Sequence, residues 1–123
     1  MIKGGTMKRI AKFEKVSIKQ FREGCDRPDA EEIYNGIKLP HRATAGSAGY
    51  DFYAPYAITL APGETAKVPT GFRALIEHGW VLKIYPRSGL GFKYRLQLNN
   101  TVGIIDSDYS DSDNEGHIFI KIT

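Results

Sequence analysis

From about residue 42 onward, short apolar stretches alternate with polar positions and are cut at close intervals by turn residues. The segment "ITLAPGETAKVPTGFRALIEHGWVLKIYPR", residues 58–87, holds four such stretches, broken at Pro62-Gly63, at Pro69-Thr70-Gly71 and at His78-Gly79. Short strands at this spacing predict a sandwich or barrel. Trp80 to Tyr85 reads as one strand, with Trp80 expected in the core, and "HIFIKIT", residues 117–123, reads as another. Residues 8–40 read differently. "VSIKQFREG" predicts a short helix capped by Ser17 and stopped by Gly24. "DAEEIYNG" predicts a second, with Asp29 as N-cap, Glu32 three residues on and Gly36 closing it. Both are expected to decorate the surface.

The chain of 123 residues makes one domain, with an N-terminal extension over 1–40 and a β core over 41–123. Its net charge of +3 is spread along the chain, which favours an anionic ligand without calling for nucleic acid. Cys25 is the single cysteine and is expected to be an incidental free thiol, so a reducing compartment is the default. No apolar run approaches the ~20 residues of a membrane span, and the start lacks an apolar signal core, so a cytoplasmic location is expected. His41, His78 and His117 lack metal-ligand spacing. The final strand stops at Thr123 without a turn or cap. An unpaired edge there would be a liability, so the natural chain is expected to continue.

Three segments carry chemistry. In "AGSAGYDFYA", residues 45–54, small residues lead straight into Asp51. In "YPRSGLGF", residues 85–92, an arginine fork, a hydroxyl and glycine amides at Arg87, Ser88 and Gly89 suit phosphate oxygens, although a helix-starting turn would use the same residues. In "NNTVGIIDSDYS", residues 99–110, an apolar run delivers Asp106 with Asp108 and Tyr109 beside it. A polar turn whose aspartates cap backbone amides is the plainer account of that stretch. The chemical account makes Asp106 a proton acceptor from water, Tyr109 a ring face for a sugar or base, and Asn100 a reader of a base edge. Asp108 is expected as a structural turn cap, and "SDSDNEG" as a solvated loop.

Taken in order, "AGYDFYA", "PRSGLG" and "NNTVGIIDSDY" resemble the first three of five motifs of the deoxyuridine triphosphatase (dUTPase) family, over roughly residues 40–122. The resemblance implies a mainly β fold, a distorted jelly-roll barrel of β-clip type, assembled as a homotrimer with sites between subunits. It implies Mg²⁺-dependent hydrolysis of dUTP to dUMP and pyrophosphate, keeping uracil out of DNA and supplying dUMP for thymidylate synthesis. By position, Asp106 resembles the residue that activates water. Tyr109 resembles the ring that packs on deoxyribose and excludes a 2′-hydroxyl. Asn100 with Gly103, Ile104 and Ile105 resembles the hairpin that pairs with uracil. Arg87, Ser88 and Gly89 resemble the phosphate-holding turn, and Asp51 the acid that organises the waters around a metal held by the phosphates, with no direct protein ligand. The N-terminal helical region and "SDSDNEGHI" are longer than short members carry and are read as local insertions. The fourth and fifth motifs do not follow, so the chain as it stands is expected to be nearly inactive. Two rival readings are a dCTP deaminase, and a nucleotide-sensing regulator docking on a protein partner through the inserted parts.

Overall fold

The computed structural model describes residues 8–123. Six short strands form three antiparallel two-stranded ladders. β1 (Ala11–Lys15) pairs with β3 (Phe72–Ile76), Ala11 facing Ile76 and Lys15 facing Phe72. β2 (Ala66–Pro69) pairs with β6 (Phe119–Ile122), and β4 (Leu82–Ile84) pairs with β5 (Gly103–Ile105). The fold is mainly β, as the turn spacing predicts. In β3 the period of two is explicit: Phe72 and Ala74 are buried, while Arg73 between them reaches Glu14 across the ladder. Phe72, Ala74, Ile84, Leu98 and Ile118 form the main core, with Phe13 and Phe52 packed edge-on against the Phe72 ring.

The N-terminal region departs from the sequence reading in two ways. β1 is a strand that the sequence pattern did not announce, and its ladder with β3 joins the N-terminal segment to the main core. The two helices, α1 (Ile18–Gly24) and α2 (Ala30–Asn35), are more than surface decoration. Val16, Phe21, Cys25 and Ala30 make a second core, with Ile33, Tyr34, Ile37 and Tyr56 around it. Cys25 is therefore a packing residue, its thiol pushed up by burial. Ser17 caps α1 as expected, its hydroxyl accepting from the Gln20 amide at 3.1 Å. Asp29 precedes α2 but closes no cap hydrogen bond; its carboxylate pairs with Arg27 at 3.2 Å.

Three further expectations change. Trp80 is 55% exposed, because the strand begins at Leu82 and leaves Trp80 in the preceding turn. Residues 58–61 form no strand. β6 is not an open edge: besides β2, it meets residues 97–99, with Gln97 and Thr123 exchanging two backbone hydrogen bonds at 3.0 Å and Leu98 bridging Ile122.

The segment after Tyr109 is also not a solvated loop. Glu115 accepts from the Ser17 amide at 2.8 Å and from the Ser17 hydroxyl at 2.5 Å. Those hydrogen bonds hold its carboxyl below the ordinary range, the hydroxyl foremost. In a capping box the residue at the third helical position returns to the cap amide. Here that residue is Gln20, whose side chain is committed to His117, and Glu115 takes its place from 98 residues away.

His117 is fully buried between α1 and the start of β3. Its Nε2 accepts from the Gly71 amide at 3.0 Å, so Nδ1 carries the proton and donates to Gln20 Oε1 at 3.1 Å. Burial lowers its pKa to about 4, a shift that the nearby Glu115 charge partly offsets. A second proton would also point at the Gly71 N–H. The unfolded chain, titrating near 6.5, binds more protons than the folded one between those two values. Stability is therefore full above that window and falls as pH drops through it. Unfolding in denaturant should lose about 2 kcal/mol between pH 7 and pH 5, and His117→Gln should flatten that dependence.

Candidate active site

Asp51 and Arg87, far apart in sequence, meet in space. The isolated bridge between His41 and Asp51, with reciprocal backbone hydrogen bonds of 3.0 and 2.7 Å, fixes the backbone of Asp51. Pro86 ends the segment after β4, and Arg87 sits just before α3 (Ser88–Tyr94). The guanidinium Nη1 lies 3.4 Å from the Asp51 carboxylate, in a cleft of about 530 Å³ floored by Phe13, Phe52, Phe72 and Ile84. Ser88 and Gly89 form the exposed first turn of α3, as the helix-starting reading of this stretch expects.

The second group gathers elsewhere. Asn100 sits in the turn before β5, next to Thr101 at φ 69°, an unusual setting for a β-branched residue. Asn100, Gly103, Ile104, Ile105, Asp106, Asp108 and Tyr109 line a cleft of about 420 Å³, within the range of small-molecule sites. Among the described residues β5 has a strand partner, β4, on one side only. Asp106 precedes the 3-10 turn Ser107–Asp111 without closing a cap hydrogen bond, contrary to the plain turn reading. Asp108, expected as a turn cap, lines the same cleft.

Tyr109 is held at its far end. Its hydroxyl donates to the His117 carbonyl at 2.7 Å and accepts from Asn114 Nδ2 at 3.0 Å, while its ring packs on the main core. Gly116, at φ +74°, lies against this turn. A Cβ there would stand 2.6 Å from Ser110 Cα and 2.9 Å from the Tyr109 carbonyl oxygen. Asn114 and Gly116 were absent from the sequence reading. Their signal, an Asn and a Gly in a polar run, is the same one that marks any turn.

The two groups do not meet within one chain. β4 and β5 run antiparallel, with Leu82 facing Ile105 and Ile84 facing Gly103. Arg87 follows the Ile84 end of this ladder and Asp106 follows the opposite, Ile105 end. The two clefts share a single lining residue, Ile84.

The sequence model of the dUTPase family matches residues 35–122. The chain belongs to the dUTPase family. It is 47% identical over 88 residues to the deoxyuridine 5′-triphosphate nucleotidohydrolase of Lactococcus lactis subsp. lactis (strain IL1403), covering 71% of this chain and 59% of that protein. To the enzyme of the same name from Thiobacillus denitrificans (strain ATCC 25259 / T1) it is 55% identical over 75 residues, covering 58% and 51%. The chain thus spans little more than half the length of these curated relatives. The crystal structure of dUTPase from Streptococcus mutans superposes with a TM-score of 0.65 at 37% identity, over 89% of this chain and 76% of that one. That likeness reaches past the span of the family match and so takes in part of the N-terminal region.

Two substitutions separate pairing from packing in this dUTPase-family chain. The Asp51–Arg87 pair is partly solvated, so Arg87→Ala should change the unfolding free energy by less than about 1 kcal/mol. Gly116→Ala should cost about 2 kcal/mol or more, since it combines a positive φ with backbone contact. Denaturant titration measures both.

Proposed function

We propose that the protein hydrolyses dUTP to dUMP and pyrophosphate. The observation that carries this reading is the cleft in which Asp106 stands beside Tyr109 at the end of β5, with Asn100 and the free edge of that strand opposite. A uracil edge alternates acceptor and donor as a strand edge does, so Asn100 and the backbone of Gly103 to Ile105 suit it. The Tyr109 ring, pinned through its hydroxyl, presents a fixed wall to the sugar. A 2′-hydroxyl is excluded by that wall through sterics.

Asp106, uncommitted as a cap, orients a water and accepts its proton as the water oxygen attacks the α-phosphorus. The bond to the α,β-bridging oxygen breaks, and pyrophosphate leaves. Arg87, Ser88 and Gly89 offer charge-assisted and backbone hydrogen bonds to the phosphates. Among the described residues no three His, Cys, Asp or Glu side chains cluster in a way that would hold a metal. The hard carboxylate oxygens of Asp51, Asp106 and Asp108 nonetheless suit water-mediated contact with Mg²⁺ carried by the triphosphate. Bound there, the ion supplies charge neutralisation on the phosphates.

Separation of the two clefts on one chain supports a homotrimer with shared sites, in which Arg87 of one copy serves the cleft of another. The segment from β4 through α3 also exposes Tyr85, Leu90, Phe92 and Tyr94, with Phe92 at 95% exposure, apolar side chains that a neighbouring copy would cover. No described helix is long and apolar enough to cross a membrane. The deaminase reading has no matching acid, since the carboxylates of the cleft are both aspartates. Of the contact surfaces given to a regulatory partner, Glu115 and His117 are engaged with the N-terminal region of this chain.

Product analysis of this chain and of the longer natural protein containing it, with Mg²⁺ and, separately, dUTP, dCTP, UTP and dTTP, tests the reading, turnover being judged on the longer form. Pyrophosphate and dUMP should arise from dUTP alone, and Asp106→Asn should lower kcat at least about 100-fold with dUTP binding retained. Ammonia release, or dUTP binding without turnover, would overturn it.

A further inference from the structure

The wall that faces the sugar is only as selective as it is still, and its hydroxyl anchor comes from a segment outside the three motifs. We propose that Asn114 is a positioning residue that sets discrimination between deoxyribose and ribose nucleotides by fixing the Tyr109 ring. This inference rests on the dUTP reading of the cleft and adds a residue to it.

Asn114 uses both ends of its amide. Its Oδ1 accepts from the Gly116 amide at 3.0 Å, which closes the turn, and its Nδ2 donates to the Tyr109 hydroxyl at 3.0 Å. The hydroxyl in turn donates to the His117 carbonyl. Two partners from one segment therefore bracket the Tyr109 oxygen, one on each hydrogen-bonding function. Gly116 backs the same turn at contact distance, and Glu115 between them is tied to Ser17. Losing the Nδ2 donor leaves the ring one anchor and freedom to lean away from the space that a 2′-hydroxyl would occupy.

The two ends of the amide can be separated. In Asn114→Ser the shorter hydroxyl still accepts from the amide two residues on, keeping the turn, but cannot reach Tyr109. Steady-state kcat/KM for dUTP and for UTP would be measured on the wild type, Asn114→Ser, Tyr109→Phe and the double variant. Thermal unfolding of each would be recorded alongside. We expect the dUTP/UTP ratio to fall about tenfold in Asn114→Ser, mainly through a gain on UTP. Tyr109→Phe should show at least the same loss, and adding Asn114→Ser to it should change nothing more. A wild-type ratio in Asn114→Ser, or an Asn114 effect that persists without the Tyr109 hydroxyl, overturns the inference while leaving dUTP hydrolysis standing. Should Asn114→Ser not fold, an undiminished ratio in Tyr109→Phe overturns it equally. Absence of dUTP turnover in the wild type overturns the reading of the cleft and this inference with it.

Discussion

A buried, uncharged imidazole holds this fold together at the point where three parts of the chain converge. His117 accepts from the amide of Gly71 at the entrance to β3 and donates to Gln20 of α1, with the Phe21 and Phe119 rings against it. Neither hydrogen bond survives a change of tautomer, and burial disfavours the charged form. The imidazole therefore acts as a fixed strut. Its own backbone carbonyl is what receives the Tyr109 hydroxyl, so the residue that locks the N-terminal helix also locks the aromatic wall of the cleft. Residues 110–117 connect these two tasks, and the Glu115–Ser17 contact closes the loop from the other side.

The N-terminal segment and the insertion after Tyr109 consequently form one structural unit. Each supplies what the other lacks: α1 receives a carboxylate at its N-terminus, where the exposed amides and the helix dipole favour negative charge, and the polar run receives a scaffold. Their joint apolar core around Val16 and Phe21 is separate from the main core around Phe72, yet the two touch through β1 and β3. What reaches the site from this unit is rigidity. In the proposed site, Arg87 and Asp106 follow opposite ends of the short β4–β5 ladder, which separates them within one chain.

Much of this was legible where local pattern and tertiary role agree. In β3 the alternation is plain because Phe72 and Ala74 are buried with Arg73 between them, and the Ser17 cap of α1 is a local contact of its hydroxyl with the Gln20 amide. The three motifs singled out Asp51, Arg87, Asn100, Asp106 and Tyr109, but the contact of Asp51 with Arg87 came only with the fold. β1 escaped notice because Ala11-Lys12-Phe13-Glu14-Lys15 offers one large apolar residue, and its strand state depends on a partner some 60 residues on. Trp80 read as core because a large aromatic ring usually is, whereas exposure is set by where pairing starts. The polar run 110–117 read as solvated because its partners, Ser17 and Gln20, lie almost a hundred residues away. Separation of the site into two clefts follows from strand direction, which no motif encodes.

The central claim is that one functional site is completed by residues from two copies of the chain. Co-expression of the Arg87→Ala and Asp106→Asn variants tests it most directly, each being nearly inactive alone. Mixed assemblies should contain sites in which an intact Asp106 meets an intact Arg87 from a neighbour, and should recover about a quarter of the wild-type dUTP hydrolysis. Recovery of none, with mixed assembly verified by mass, would contradict the claim and place the whole site within a single chain.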